Sequence, residues 1–307
     1  ASTKTLSGAI TVTAGSIKLD EAGTLGSTVS MSGGTLDADN SSTVSGALTQ
    51  SGAITIDVAS GKTLTYSGAA LSLGANTLTM SGGGTLSNTN NAFVLNNASS
   101  KLLLDSITVD NVSTSLASLG LDVDDDSTVS SLTVAHTTPV SIASTKTLSG
   151  AITVTAGSLQ LDETGTLAST VSMSGGTLDA DNSSTVSGTL SQGGSITIDV
   201  ASGKTLTYSG DEISLGANTL TLSGGGTLSN TNAFVLNNAS SKLLLNSITV
   251  DNVSTSLASL GLDIDDDSTI SSLTVAHTAP VSIASGKTLS GAIAVTAGSV
   301  KLDEAGT

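Results

Sequence analysis

ITVTAGSIKLDEAGTL, residues Ile10–Leu25, is the stretch that decides how this chain folds. Its apolar residues come as doublets one residue apart, Ile10/Val12 and Ile17/Leu19. Alternation over so few residues is the period of a short strand with one face buried, not of a helix. The AGS between the doublets supplies turn residues that tolerate positive φ or bond to their own backbone. The same pattern runs outward through Val29/Met31, Ile54/Ile56, Leu71/Leu73, Leu78/Met80, Leu102/Leu104, Ile107/Val109 and Leu132/Val134. Breaks such as SGG, SGGG, GAN, NNASS and DADNSS separate the doublets.

Phrases of the form TL-x-x-SG-x-ITV-x-x-G recur about every 19 or 20 residues, the length of one coil of a β-solenoid. They start near Lys4, Thr24, Thr43 and Lys62, and lose regularity between Thr85 and Ser144. A longer period lies above this one. ASTKTLSGAITVTAGS opens at Ala1, returns at Ala143, and returns again at Ala284 as ASGKTLSGAIAVTAGS. The first two copies differ by 16 substitutions and by one Asn, at NTNN from Asn88 against NTN from Asn230. Such periods mark a repeat architecture in which each unit buries its apolar face against its neighbours. The fold expected is all-β, a parallel β-solenoid (β-helix) with about seven coils per long repeat. Residues 1–142 form the first copy, 143–283 the second and 284–307 the start of a third, in one continuous rod without a linker. At the usual strand spacing each copy would add about 34 Å.

Differences between the copies sort the residues into inside and outside. Ile17/Leu159, Leu71/Ile213, Met80/Leu222, Val123/Ile264 and Val129/Ile270 keep their volume, as close-packed positions require. Lys18/Gln160, Ala69/Asp211, Ala70/Glu212 and Asp105/Asn246 change polarity, which an unpaired group inside a narrow core would not tolerate. A β-sandwich also uses short alternating strands, but these strands are very short and the chain lacks large core residues. Its only aromatics are Tyr66, Tyr208, Phe93 and Phe234.

Composition narrows the function. The net charge is −16, lysine supplies all nine positive charges, and there is no arginine. Nucleic acid is therefore not an expected partner, because phosphate contacts need basic clusters. There is no cysteine, so neither disulfides nor thiolate metal sites are available. No apolar run approaches the ~18 residues of a membrane span. The chain opens and closes in mid-pattern and reads as an excerpt of a longer exported polypeptide.

The candidate site is acidic. LDVDDDST carries Asp122, Asp124, Asp125 and Asp126, and its second copy carries Asp263, Asp265, Asp266 and Asp267. Four carboxylates so close together offer oxygen ligands for Ca²⁺, the one candidate cofactor, although the EF-hand glycine and its terminal Glu are missing. A solvated acidic turn is the plainer reading. His136 and His277 stand alone in AHTTP and AHTAP and make poor zinc ligands. No serine sits in a G-x-S-x-G elbow, and the runs Gly82–Gly84 and Gly224–Gly226 lack the Lys-Ser/Thr of a phosphate cradle. A polysaccharide-lyase site would need a base beside the acids, and none adjoins them in sequence. No enzyme activity is expected. Thr-x-Thr pairs such as Thr11/Thr13, Thr63/Thr65 and Thr77/Thr79 do not recur in register on every coil, as a water-ordering array would need.

SLGANTLTMSGGGTLS (Ser72–Ser87) and ITVTAGSIKLDEAGTL resemble the strand repeats of bacterial autotransporter passengers and related large surface adhesins. The resemblance implies a parallel β-helix stalk exported to the cell surface. The near-identical long copies suit a stalk or filament better than a passenger. The function expected is a structural extracellular repeat protein forming a rigid stalk or filament. The alternative is an adhesin that binds glycans or Ca²⁺ on a solenoid face. Expected partners are further copies, end to end or side by side, and cell-surface or glycan groups.

Overall fold

The computed structural model describes residues 5–88 and 90–302; Lys4, where the first phrase begins, and the last residues of the third copy lie outside them. The chain divides into two compact units, Ala1–Ile152 and Thr153–Thr307. Each is a parallel β-solenoid with about 20 residues per coil, and about 15 turns are present in all. Every element among the described residues is a strand, and no helix there is long and apolar enough to cross a membrane.

In the first unit the opening coils have three short strands each. Thr5–Leu6, Ala9–Val12 and Ser16–Lys18 are followed by Thr24–Leu25, Thr28–Met31 and Thr35–Ala38. Strands of one coil pair with the equivalent strands of the next: Ile10 opposes Val29, and Val29 opposes Leu48. Because the side-chain period is two, this register places like upon like. One inward file runs Ile17, Leu36, Ile56, Met80, Leu104, Val123 and Ile142. All but Ile17, in the first described coil, are buried. The second unit repeats it as Leu159, Leu178, Ile198, Leu222, Leu245, Ile264 and Ile283. Each fully buried aliphatic side chain contributes about 1.5–3 kcal/mol, so these files supply much of the stability.

The volume-keeping differences between copies all fall inward and, Ile17 apart, are buried in both copies, while the polarity-changing ones face outward. Two coils of the first unit fuse two strands into one longer element: Thr108–Thr114 and Ser127–Val134. This fusion is why the doublet rhythm blurs between Thr85 and Ser144. Coil length also varies, from 19 residues between Thr24 and its partner Thr43 to 24 between Leu78 and its partner Leu102.

Thr145 turns the chain with φ 69°, a left-handed conformation that a β-branched residue seldom holds. The third copy has Gly286 at that place, with φ 75°.

Candidate functional site

The acidic cluster lies where an outward-facing strand end runs into a turn. Asp122 sits on strand Gly120–Val123, and its carboxylate lies 2.5 Å from Lys101 Nζ on the preceding coil. Asp125 meets Lys146 Nζ of the following coil at 2.7 Å. Asp126 accepts the backbone N–H of Thr147 at 2.8 Å. Asp124 is exposed. The second unit repeats each arrangement. Asp263 pairs with Lys242 at 2.6 Å, Asp266 pairs with Lys287 at 2.6 Å, and Asp267 accepts the Thr288 N–H at 2.8 Å, while Asp265 is exposed.

The aspartates are thus tied to the coils before and after them. Hydrogen bonds from Lys146 and from the Asp126 N–H hold the Asp125 carboxyl below the usual carboxylate range, and Lys287 with the Asp267 N–H does the same for Asp266. Among the described residues no three His, Cys, Asp or Glu side chains converge as a metal-holding group. A calcium ion in this turn would have to displace Lys101 or Lys146 from its carboxylate. His136 and His277 are exposed in their turns.

The outer surface carries more order than the letters suggest. In the first unit Thr5, Thr24, Thr43, Thr65 and Ser87 form one file of in-register neighbours, and Thr63, Thr85, Thr108 and Thr128 form a second beside it. The second unit has Thr166, Thr185, Thr207 and Ser229 in one file and Thr205, Thr227, Thr249 and Thr269 in the other. These files cover only some coils, and the Thr-x-Thr pairs do not recur on every one: Thr11 opposes Ser30, and Thr77 and Thr79 oppose Lys101 and Leu103. Unequal coil lengths hide the phase in the sequence, and serine takes the place of threonine in some coils.

Three kinds of inward polar group escaped the sequence reading. Asn88 and Asn230 follow tyrosine on an inward file and are buried; Tyr208 opposes Asn230 directly. Asn230 Oδ1 accepts the N–H groups of Asp251 and Asn252 at 3.0 and 3.1 Å, and its Nδ2 donates to the carbonyls of Asn232 and Asn252 at 2.9 and 2.7 Å. All four capacities of the amide are used. Tyr66 donates its hydroxyl to the Ala69 carbonyl at 2.5 Å and accepts the Leu48 N–H at 3.1 Å; Tyr208 does the same with Asp211 and Leu190. Each tyrosine ring stacks on a phenylalanine, Tyr66 on Phe93 at 5.7 Å and Tyr208 on Phe234 at 6.3 Å. All four aromatic rings of the chain are therefore inside, and none is offered to a sugar as a stacking platform. Gln50 and Gln192 occupy the inward position below Met31 and Met173, and each buries an Oε1 that has no hydrogen-bond partner. The signal for these groups was an Asn or Gln in the place where neighbouring coils put an aliphatic.

Compared with known proteins, the chain matches no family model, no curated protein and no solved structure.

Proposed function

We propose that the chain is a length-setting structural element, a segment of an exported bacterial surface stalk or filament in which each further copy adds reach without altering shape. One observation carries this reading. Within the second unit the first coil of the third copy pairs in parallel with the last coil of the second, with a one-residue register shift between Ile270 and Ser272. Thr269 opposes Ser290, Leu273 opposes Ile293, Val275 opposes Val295 and Val281 opposes Leu302. At this junction the start of a new copy is one more turn, with no linker. The surface fits the role. Ser, Thr and Asn solvate the outside, and a net charge of −16 sets chains to repel one another. Coil-to-coil lysine–aspartate pairs add links between turns, although solvent screens exposed pairs of this kind and leaves them a small contribution. The cell-surface placement rests on the resemblance to autotransporter passengers and adhesins.

The test is length against copy number. Chains carrying one, two and three long copies should appear by electron microscopy as thin particles that lengthen by about 34 Å per copy at constant width. Particles that resolve into beads, or that widen with copy number, would exclude a length-setting role.

A further inference from the structure

The two copies contain a natural exchange that bears on charge. Asp20, Asp37, Asp39 and Asp57 of the first copy recur as Asp162, Asp179, Asp181 and Asp199, but Lys18 recurs as Gln160. In the first copy Lys18 Nζ lies 3.1 Å from Asp37 and 3.4 Å from Asp39, and Lys18, Asp37 and Asp57 are in-register neighbours on three successive coils. In the second copy Gln160, Asp179 and Asp199 take those places. The amide of Gln160 donates to Asp179 at 3.4 Å and to Asp181 at 3.3 Å, so the geometry of the bridge survives while its charge is gone.

We propose that this face of the second copy is an acid-responsive element. Asp179 takes up a proton on mild acidification and relieves the repulsion among the four carboxylates, which tightens the coils there, while the first copy, where Lys18 bridges Asp37 and Asp39, does not respond in this way.

The surroundings of Asp179 support this from every side. The strand before it, Ser158–Leu161, presents Gln160 and leads into Asp162. The strand after it, Ile196–Val200, presents Asp199, whose carboxylate accepts a short hydrogen bond from Ser223 on the next coil. Its own strand, Thr177–Ala180, leads into Asp181. Lys204, on the following coil, donates to the Asn182 amide oxygen at 3.1 Å. Partial burial, together with the charges of Asp181, Asp199 and Asp162, pushes the Asp179 carboxyl up to about 6, against an ordinary 3.8. Asp162 is raised as well, by burial and by Asp181. A carboxyl raised on folding binds its proton more tightly in the folded state. Its contribution is therefore complete below the ordinary value and is lost as the pH rises through about 6. Between pH 7 and pH 5 acidification should stabilise the second copy. The lysine-paired Asp125 and Asp266, held low, stay charged throughout that window.

The experiment follows the side-chain carboxyl resonances by NMR from pH 8 to pH 3 in the full chain, with thermal melts at pH 7 and pH 5. Gln160→Lys recreates the first copy's arrangement and Lys18→Gln the second's, so the chain already contains both local structures. Asp179 should titrate near 6 in the parent chain. In Gln160→Lys its midpoint should fall by about one to three units, the effect of an opposite charge in contact. The rise in melting midpoint between pH 7 and pH 5 should disappear with it. Lys18→Gln should add a further rise in melting midpoint between pH 7 and pH 5. An Asp179 midpoint near 4 in the parent chain, or one indifferent to Gln160→Lys, would overturn the proposal.

Discussion

Replacing Gly46 with alanine should collapse the first unit's stability by about 4 kcal/mol or more, a loss reserved for a few mechanisms such as overpacking. The glycine stands in the SG corner where one coil rides directly on another. A Cβ built on Gly46 would lie 1.7 Å from the Ser27 carbonyl oxygen, and one on Gly188 would lie 1.9 Å from that of Ser169. These obstacles are backbone atoms of the coil beneath and cannot rotate away. The melting midpoint of the Gly46→Ala chain should drop by about 10 °C. Gly61 is the control: it has a positive φ of 71° with nothing within 4 Å of a Cβ, so its alanine variant should lose only about 1–2 kcal/mol to backbone strain. The chain contains its own version of this test. Gly26, where the nearest contact would be 3.3 Å, is Ala168 in the second copy, whereas the crowded Gly46 and Gly188 are glycine in both.

The second large effect belongs to Asn230→Asp. The exchange keeps the shape of the side chain, so it tests hydrogen bonding and charge rather than a cavity. The carboxylate still accepts from the Asp251 and Asn252 N–H groups but can no longer donate to the Asn232 and Asn252 carbonyls. A buried negative charge would then face two carbonyl oxygens. The expected loss at pH 7 is about 3–5 kcal/mol, the scale for an uncompensated buried charge. Burial among acceptors favours the protonated acid, which raises the folded-state pKa of the new carboxyl. Part of the loss should therefore return as the pH falls toward 4, and grow again as it rises. Urea melts at pH 7 and pH 4.5 measure both. Equal losses at the two pH values would show that the two lost amide donations, not the new charge, set the cost.

The inward files were legible because doublets such as Ile54/Ile56 and Leu78/Met80 repeat an alternation that only a strand can use. Volume-keeping differences between copies, such as Val123/Ile264, confirmed which face they occupy. The carboxylates of LDVDDDST were legible as a cluster but not as ties between coils. Lys101 lies 21 residues from Asp122, and Lys146 lies 21 residues from Asp125. Such pairs become neighbours only once the coil length is known locally, and that length is not constant. The buried Asn88 and Asn230 and the half-buried Gln50 and Gln192 were hidden because turn-forming Asn and outward Gln are so common in this chain. Which glycines are crowded was equally hidden, because a glycine open to solvent and one pressed against a carbonyl read as the same letter.

Coil-over-coil register underlies the whole structure, and introduced thiols test it directly, because the chain has no cysteine of its own. Thr43 and Thr65 are in-register partners on adjacent coils, with Cα atoms about 4.8 Å apart, inside the window for a disulfide. Thr43 and Thr63 are offset by one strand repeat, about 8 Å apart and beyond that reach. Under mild oxidation the Thr43→Cys/Thr65→Cys chain should close an internal disulfide and the Thr43→Cys/Thr63→Cys chain should not. Closure of the offset pair in preference to the register pair, or failure of the register pair to close, would contradict the stacked-coil structure.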